Sequence, residues 1–269
     1  DLRPARGKRR VAVVGGGPAG MRAALMAEER GYDVTLYEAS DDLGGQLRLM
    51  DAPSFKWALV QYREWLKAQL AESSVAVRLN TAPTKELLEA EGFDAVILAV
   101  GATPKTPPIP GAERAYSIFT VFGSESRMGK KCVVIGGSES GTEAGLYLAE
   151  NGHDVLILTR GDTLAPDATP IHYRETIDEY FQTLDNISYV TNASATEIGE
   201  GYVEYRTADG RTHRVECDDV VALGGMRSNA EAAMALFGVT PDTCMIGDCL
   251  EVGNLHKCNR GAFSAVHNL

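Results

Sequence analysis

Val11-Ala12-Val13-Val14-Gly15-Gly16-Gly17-Pro18-Ala19-Gly20 reads as a buried strand that breaks at a glycine turn and reopens as a helix. The short apolar, β-branched run suits a strand covered on both faces of a parallel sheet. Met21 to Arg30 is helix-forming and is stopped by Gly31, and a second apolar run, Val34-Thr35-Leu36-Tyr37, ends at Glu38. The same pattern returns later. Cys132-Val133-Val134-Ile135 repeats the strand, Gly136-Gly137-Ser138-Glu139-Ser140-Gly141 the turn and Thr142 to Asn151 the helix, stopped by Gly152. Val155-Leu156-Ile157-Leu158 repeats the second strand and ends at Thr159-Arg160. A constant 121 residues separates Gly15 from Gly136, Gly20 from Gly141 and Glu38 from Thr159. An internal repeat of this kind decides the architecture before anything else.

A third element recurs at nearly the same offset. Ala95-Val96-Ile97-Leu98-Ala99-Val100-Gly101 and Val220-Val221-Ala222-Leu223-Gly224 are both strands that end in a glycine turn. Each copy is therefore strand, helix, strand, a variable excursion and a strand that returns to the turn. The expected fold class is α/β, with two nested Rossmann-like dinucleotide-binding domains. The boundaries read as 8–111 and 218–269 for the first domain and 112–217 for the second, inserted one. Between them, Phe55 to Ser73 carries apolar residues at helical spacing and predicts a packing helix that includes Phe55. Thr103 to Gly111 is too proline-rich for regular structure and reads as the crossover. Val203 to Val215, around Ala208-Asp209-Gly210, predicts a hairpin. Segments 161–175 and 225–240 carry no role that the residues declare.

The glycines have separate tasks. Gly15 permits the tight turn, Gly17 lets backbone approach a pyrophosphate, and Gly20 lets the helix lie close to the strand. The helix that starts at Pro18, with its N-terminal amides from Ala19 onward, then offers free donors and about half a positive charge. Glu38, followed by Ala39, stands where an acid accepts hydrogen bonds from ribose hydroxyls. A bare structural domain with an empty turn is the competing reading. In the second copy Ser138 takes the second-glycine position. It either bonds a phosphate oxygen or pushes a pyrophosphate away. Thr159 replaces the acid, so Arg160 either pairs with the 2′-phosphate of NADP or is a solvated strand-end residue. A nucleophile elbow is excluded because Ser140 stands where its last glycine belongs, and a Walker loop because Thr142 and Glu143 follow Gly141.

Composition narrows the partners. With 26 basic and 37 acidic residues the net charge is −11, which argues against nucleic acid and anionic membranes as main partners. No apolar run approaches the ~20 residues of a membrane span. The opening stretch, Asp1 to Arg10, is basic but has no signal-peptide core. Cys132, Cys217, Cys244, Cys249 and Cys258 form no CxxC pair and, with the five histidines, no metal spacing. They read as reduced thiols of a cytoplasmic protein.

The order GGGPAG, Glu38, Leu43-Gly44-Gly45-Gln46-Leu47, the AVGATP turn, a second Rossmann unit and Ile246-Gly247-Asp248 resembles the two-dinucleotide-domain flavoprotein reductases. It is similar above all to the C-terminal half of NADH:flavin oxidoreductases related to 2,4-dienoyl-CoA reductase, trimethylamine dehydrogenase and enoate reductases. The resemblance covers essentially the whole chain. It implies FAD on Gly15, Gly17, Pro18, Ala19 and Gly20, with Glu38 and Ala39 at the adenosine ribose. Gly45, Gln46 and Leu47 would lie along the flavin, with Ala99 and Gly101 nearby, Gly247 and Asp248 at the ribityl chain, and a helix starting after Gly253. It places NAD(P)H on Gly136, Ser138, Gly141, Glu143, Arg160 and Gly224, with Glu143 near the nicotinamide. It further implies an N-terminal TIM barrel carrying FMN and a 4Fe-4S cluster, absent from this sequence, so that Asp1 is expected to follow a removed barrel.

The function expected is passage of electrons from NAD(P)H to FAD and on to that outside centre. Cofactor chemistry of this kind needs no acid–base triad, and no redox disulfide is expected between Cys244 and Cys249. Two alternatives stand beside it: a non-catalytic domain holding ADP, and a self-contained reductase like the small subunit of glutamate synthase.

Overall fold

The computed structural model describes residues 4, 7–50, 52–168 and 171–269. Residues 1–3, 5 and 6 of the basic opening stretch, and 169 and 170 of the unassigned segment 161–175, lie outside the described residues. The chain divides into two compact units: one of residues 1–51, 57–103 and 226–269, the other of Ala52–Lys56 and Pro104–Gly225.

In the first unit a five-stranded parallel sheet runs in the order Asp242–Met245, Ala95–Leu98, Arg10–Val14, Asp33–Tyr37, Ala76–Arg78. Past the exposed Arg10 and Asp33 that open two of them, its central strands are buried and, Thr35 apart, apolar, because both faces are covered. Val11, Val13, Leu36 and Ile97 point to one side and pack with Met21, Ala23, Leu66 and Val266. These come from the helices Pro18–Glu29, Trp57–Glu72 and Leu255–His267. Ala12, Val14, Val96 and Leu98 point to the other side, against Leu88, Phe93 and Ala233. At roughly 25 cal/mol per Å², complete burial of such side chains supplies about 1.5–3 kcal/mol each.

The second unit repeats the plan with four parallel strands: Asp219–Ala222, Lys131–Ile135, Asp154–Leu158, Ile187–Val190. Leu146 of helix Glu139–Glu150 and Ile177 of helix Ile171–Thr183 form the core on one side. The other side is covered by a three-stranded antiparallel sheet, Ala193–Gly199, Tyr202–Thr207 and Thr212–Glu216, through Val203, Ile198 and Ala193. The last two strands form the expected hairpin, turning through Asp209 and Gly210 (φ +82°).

The units part at 103/104 and 225/226, near the expected boundaries at 111/112 and 217/218, and two other expectations are corrected. Asp219–Ala222 pairs in parallel with Lys131–Ile135, so the second copy keeps its own return strand. Phe55 does not belong to the packing helix: it sits in a 3-10 turn, Ser54–Lys56, before the helix starts at Trp57. Its ring meets Tyr173 and Tyr180, with centroids 6.5 and 5.1 Å away, so an aromatic cluster of the second unit overrides helical spacing. The proline-rich crossover is irregular only from Lys105 onward, because Ala102–Pro104 pairs with Met226–Ser228 in a two-stranded sheet.

Candidate functional site: two glycine turns

The first strand ends at Gly15, whose φ of +109° is a left-handed conformation that suits glycine. A Cβ there would lie 2.4 Å from the Ala99 oxygen, and one on Gly20 would lie 1.8 Å from the Gly15 oxygen. These two glycines are consumed by packing. Gly17 differs: a Cβ on it would meet nothing nearer than the Gly45 Cα at 3.9 Å. Gly17 is the N-cap of Pro18–Glu29, with Pro18 in the first turn and no side chain capping the helix. The turn therefore presents a helix N-terminus that no side chain caps, beside an open space at Gly17. That is the arrangement by which a pyrophosphate is held.

Acidic and polar groups from three further segments surround this turn. Glu38, just past strand Asp33–Tyr37, accepts the Gly16 amide at 2.6 Å through Oε2. Through Oε1 it accepts the Ser40 amide and hydroxyl at 2.8 and 2.7 Å. Ala39, between them, is exposed. Gly44 donates its amide to the Gly16 oxygen at 2.9 Å. Gly45 comes so close that a Cβ would stand 2.9 Å from the Gly17 Cα. Gln46 then reaches the Ala102 oxygen at 3.3 Å and Asp248 at 3.4 Å, while Leu47 is buried. A Cβ on Gly247 would touch the Ala19 Cβ at 2.9 Å, which places Gly247 and Asp248 at the helix start. Asp248 also accepts the Gly253 amide at 3.0 Å. Burial raises its pKa, opposed by that amide and by Gln46. The helix expected after Gly253 is Leu255–His267, capped by Asn254 on the Lys257 amide. Gly101 (φ +69°) completes the ring, its oxygen accepting the Asn229 amide at 3.1 Å.

The second turn shares the frame but not the openness. Gly136 has φ +120°, and a Cβ on Gly141 would lie 1.9 Å from the Gly136 oxygen. Ser138 neither juts into the turn nor stays free: its hydroxyl caps the helix, accepting the Gly141 amide at 3.4 Å. Glu143, 1% exposed, is paired with Lys56 at 2.6 Å and accepts the Tyr173 hydroxyl. Burial and that carboxylate push the Tyr173 phenol well above its ordinary value. Thr159 packs where a Gly137 Cβ would lie, as Glu38 does at Gly16, while Arg160 is exposed. Gly224 does not face the turn. Its Cβ position is blocked by the Lys105 oxygen at 2.3 Å, and Leu223 instead stands 3.2 Å from a Gly136 Cβ.

Several residues of these turns are invisible to motif reading. Gly16 and Ser40 hold the Glu38 carboxylate, Lys56 and Tyr173 hold Glu143, and Asp167 accepts the Glu139 amide at 2.7 Å. Carrying the 121-residue register past Glu38 reaches Asp167 from Gln46; Lys56 and Tyr173 carry no such signal. The five cysteines are free. Among the described residues no three His, Cys, Asp or Glu gather to hold a metal, and no helix is long and apolar enough to cross a membrane.

Known proteins share this frame. An NADH oxidase of Thermoanaerobacter brockii is 35% identical over 95% of this chain, which covers 40% of that protein. A cinnamate reductase of Clostridium sporogenes is 30% identical over 100% of the chain, again 40% of the relative. The structure of a 2-naphthoyl-CoA reductase superposes with a TM-score of 0.93 at 30% identity, over 100% of this chain and 41% of that one. The chain thus spans about two fifths of the length of the curated relatives it matches. They bear out the resemblance to NADH:flavin oxidoreductases. A family model described as pyridine nucleotide-disulphide oxidoreductase matches residues 9–242, and the chain belongs to that family.

Proposed function

We propose that the chain is an electron-entry module: it takes electrons from NAD(P)H, holds them on FAD and passes them to an acceptor centre of a larger protein. The observation that carries the FAD assignment is the first turn, with its uncapped helix start, the open space at Gly17 and the prepositioned Glu38 carboxylate. In this reading the amides of Gly17, Ala19 and Gly20 receive the pyrophosphate, with Pro18 fixing the first helical turn between them, and Glu38 and Ala39 meet the adenosine ribose. Gly45, Gln46 and Leu47, with Ala99 and Gly101, flank the flavin, and Gly247-Asp248 meets its ribityl chain. When bound, FAD supplies the capacity to accept a hydride and to release electrons onward.

The second turn, with Gly136, Ser138, Gly141, Glu143 and Arg160, is the NAD(P)H site, and the two units are nested dinucleotide domains. The relatives' names support this division of labour. The names of an NADH oxidase, a cinnamate reductase and a 2-naphthoyl-CoA reductase point to different substrates, yet all three match this same chain. The step in common is entry of electrons from the nicotinamide. The choice of final acceptor lies in the remaining length of such proteins, on an FMN and 4Fe-4S cluster in a partner barrel domain.

The test is the visible spectrum of the purified protein, reconstituted with FAD if colourless, followed anaerobically on addition of NADH and then NADPH. Bleaching of flavin bands is the expected result and names the donor. Persistent bands with bound FAD would remove the electron-entry reading. Failure to bind FAD, with retention of ADP, would turn the first unit into a nucleotide-holding structural domain.

A further inference from the structure

The two glycine turns are covered by the same strap, built from residues in one register. Gly16 and Gly137, Leu43 and Leu164, Gly44 and Ala165, and Gln46 and Asp167 are each 121 residues apart. Leu43 and Leu164 fill equivalent places, with Cδ2 atoms 2.5 and 2.8 Å from Cβ positions on Gly16 and Gly137. Gly44 donates to the Gly16 oxygen at 2.9 Å, and Ala165 donates to the Gly137 oxygen at 2.7 Å. The copies part at the last pair. Gln46 is uncharged and turns away to Ala102 and Asp248. Its counterpart is a carboxylate, and Asp167 Oδ1 accepts the amide of Glu139, the first residue of helix Glu139–Glu150, at 2.7 Å.

Two amides of that helix start are therefore taken by the chain's own side chains, Glu139 by Asp167 and Gly141 by Ser138. In the first unit no side chain caps the helix. The strap that delivers Asp167 is held under strain. Ala165 has φ +43°, uncommon for a residue with a Cβ. Arg174 clasps it by donating to the Thr163 hydroxyl at 3.0 Å, to the Ala165 oxygen at 3.1 Å and to the Leu164 oxygen.

We propose that Asp167 is a gate on the second dinucleotide site: its carboxylate occupies the place at the helix start where a pyrophosphate is received, and it has to swing out for binding. The proposal rests on the reading of the second unit as the NAD(P)H site. Two anions do not share one helix N-terminus, because each is drawn by the same amides and repels the other. The neighbouring charges do not relieve this. Glu139 and Glu143 are acidic, and Lys56 is committed to Glu143. A dinucleotide thus competes with Asp167 for its seat, and its arrival frees the strap from the helix.

The test is equilibrium binding of NADH, NADPH and ADP-ribose to the whole oxidised flavoprotein and to its Asp167→Asn and Asp167→Ala variants, by calorimetry. ADP-ribose carries the pyrophosphate without the nicotinamide, so no turnover enters the readout. Both variants are expected to bind all three at least about fivefold more tightly, the scale of one carboxylate at a helix N-terminus, with FAD content unchanged. Asp167→Asn keeps an acceptor for the Glu139 amide, so it tests the charge with the fold intact. Binding that appears only in the variants supports the gate equally. Measurable binding that is unchanged or weakened by both substitutions overturns the gate and leaves the NAD(P)H site standing. No binding by any of the three folded proteins overturns both.

Discussion

The Glu38 carboxylate bridges the Gly16 amide, 2.6 Å from Oε2, to the Ser40 amide and hydroxyl, 2.8 and 2.7 Å from Oε1. The acid at the end of the second strand thus organises the glycine turn before any ribose arrives. Hydrogen bonds to a charged acceptor are worth about 1.5–3 kcal/mol, and removing the carboxylate leaves the half-enclosed Gly16 amide without its partner. Glu38→Ala is expected to raise the FAD dissociation constant at least about tenfold, read as flavin fluorescence released on dilution. Equal retention of FAD by the variant would detach Glu38 from the cofactor.

Glycines of the first turn separate into two classes that substitution distinguishes. Gly20→Ala drives a methyl to 1.8 Å from the Gly15 oxygen and is expected to cost about 3 kcal/mol or more in urea unfolding. Gly17→Ala meets only the Gly45 Cα at 3.9 Å, and at φ −73° alanine is unstrained. That variant is expected to keep its stability within about 1 kcal/mol and yet lose FAD, because the methyl fills the pyrophosphate approach. Flavin bound normally to a folded Gly17→Ala protein would refute the placement.

Glu139 makes stability pH-dependent. Burial, reinforced by the Glu143 carboxylate and to a lesser degree by Asp167, pushes its pKa from 4.5 up to about 7, against the opposing effect of Lys56. A folded-state pKa above the unfolded one favours the fold at low pH. The advantage is complete below about 4.5 and disappears as pH rises through about 7. Glu139→Gln is expected to flatten this decline and to raise Tm by a few degrees at pH 8, about 1 kcal/mol after allowance for partial exposure. Parallel Tm curves for wild type and variant from pH 4 to 8 would contradict it.

The family name refers to disulphide chemistry, and the cysteines here are placed otherwise. Cys249 is buried and its thiol donates to the Leu98 and Ile246 oxygens at 3.3 and 3.1 Å. Burial pushes Cys132 up to about 12 and Cys217, Cys244 and Cys258 up to about 11, far from the thiolate that exchange requires. Anaerobic reductive titration is expected to consume two electrons per FAD (the capacity of the flavin alone). Uptake of a second pair would reveal a redox disulfide.

What the sequence by itself determined was the repeated unit. Apolar runs at 11–14 and 132–135, glycines in a constant register and helix stops at Gly31 and Gly152 are local signals, set by steric and hydrophobic rules that act within a dozen residues. The parallel sheets follow from them, and the hairpin at Asp209-Gly210 from its own alternation and turn; Gln46 and Asp248 are named only by the resemblance to a known family. Tertiary structure alone decided the rest. Phe55 obeys helical spacing yet leaves the helix, because Tyr173 and Tyr180 offer its ring a better surface. Lys56 meets Glu143 across 87 positions of chain with no period or motif to announce it, and the 121-residue register that reaches Asp167 from Gln46 does not say that its carboxylate meets the Glu139 amide. Whether a helix start stands open, as at Gly17, or is closed by the chain's own carboxylate depends on where a distant strap comes to rest. Only the folded packing sets that.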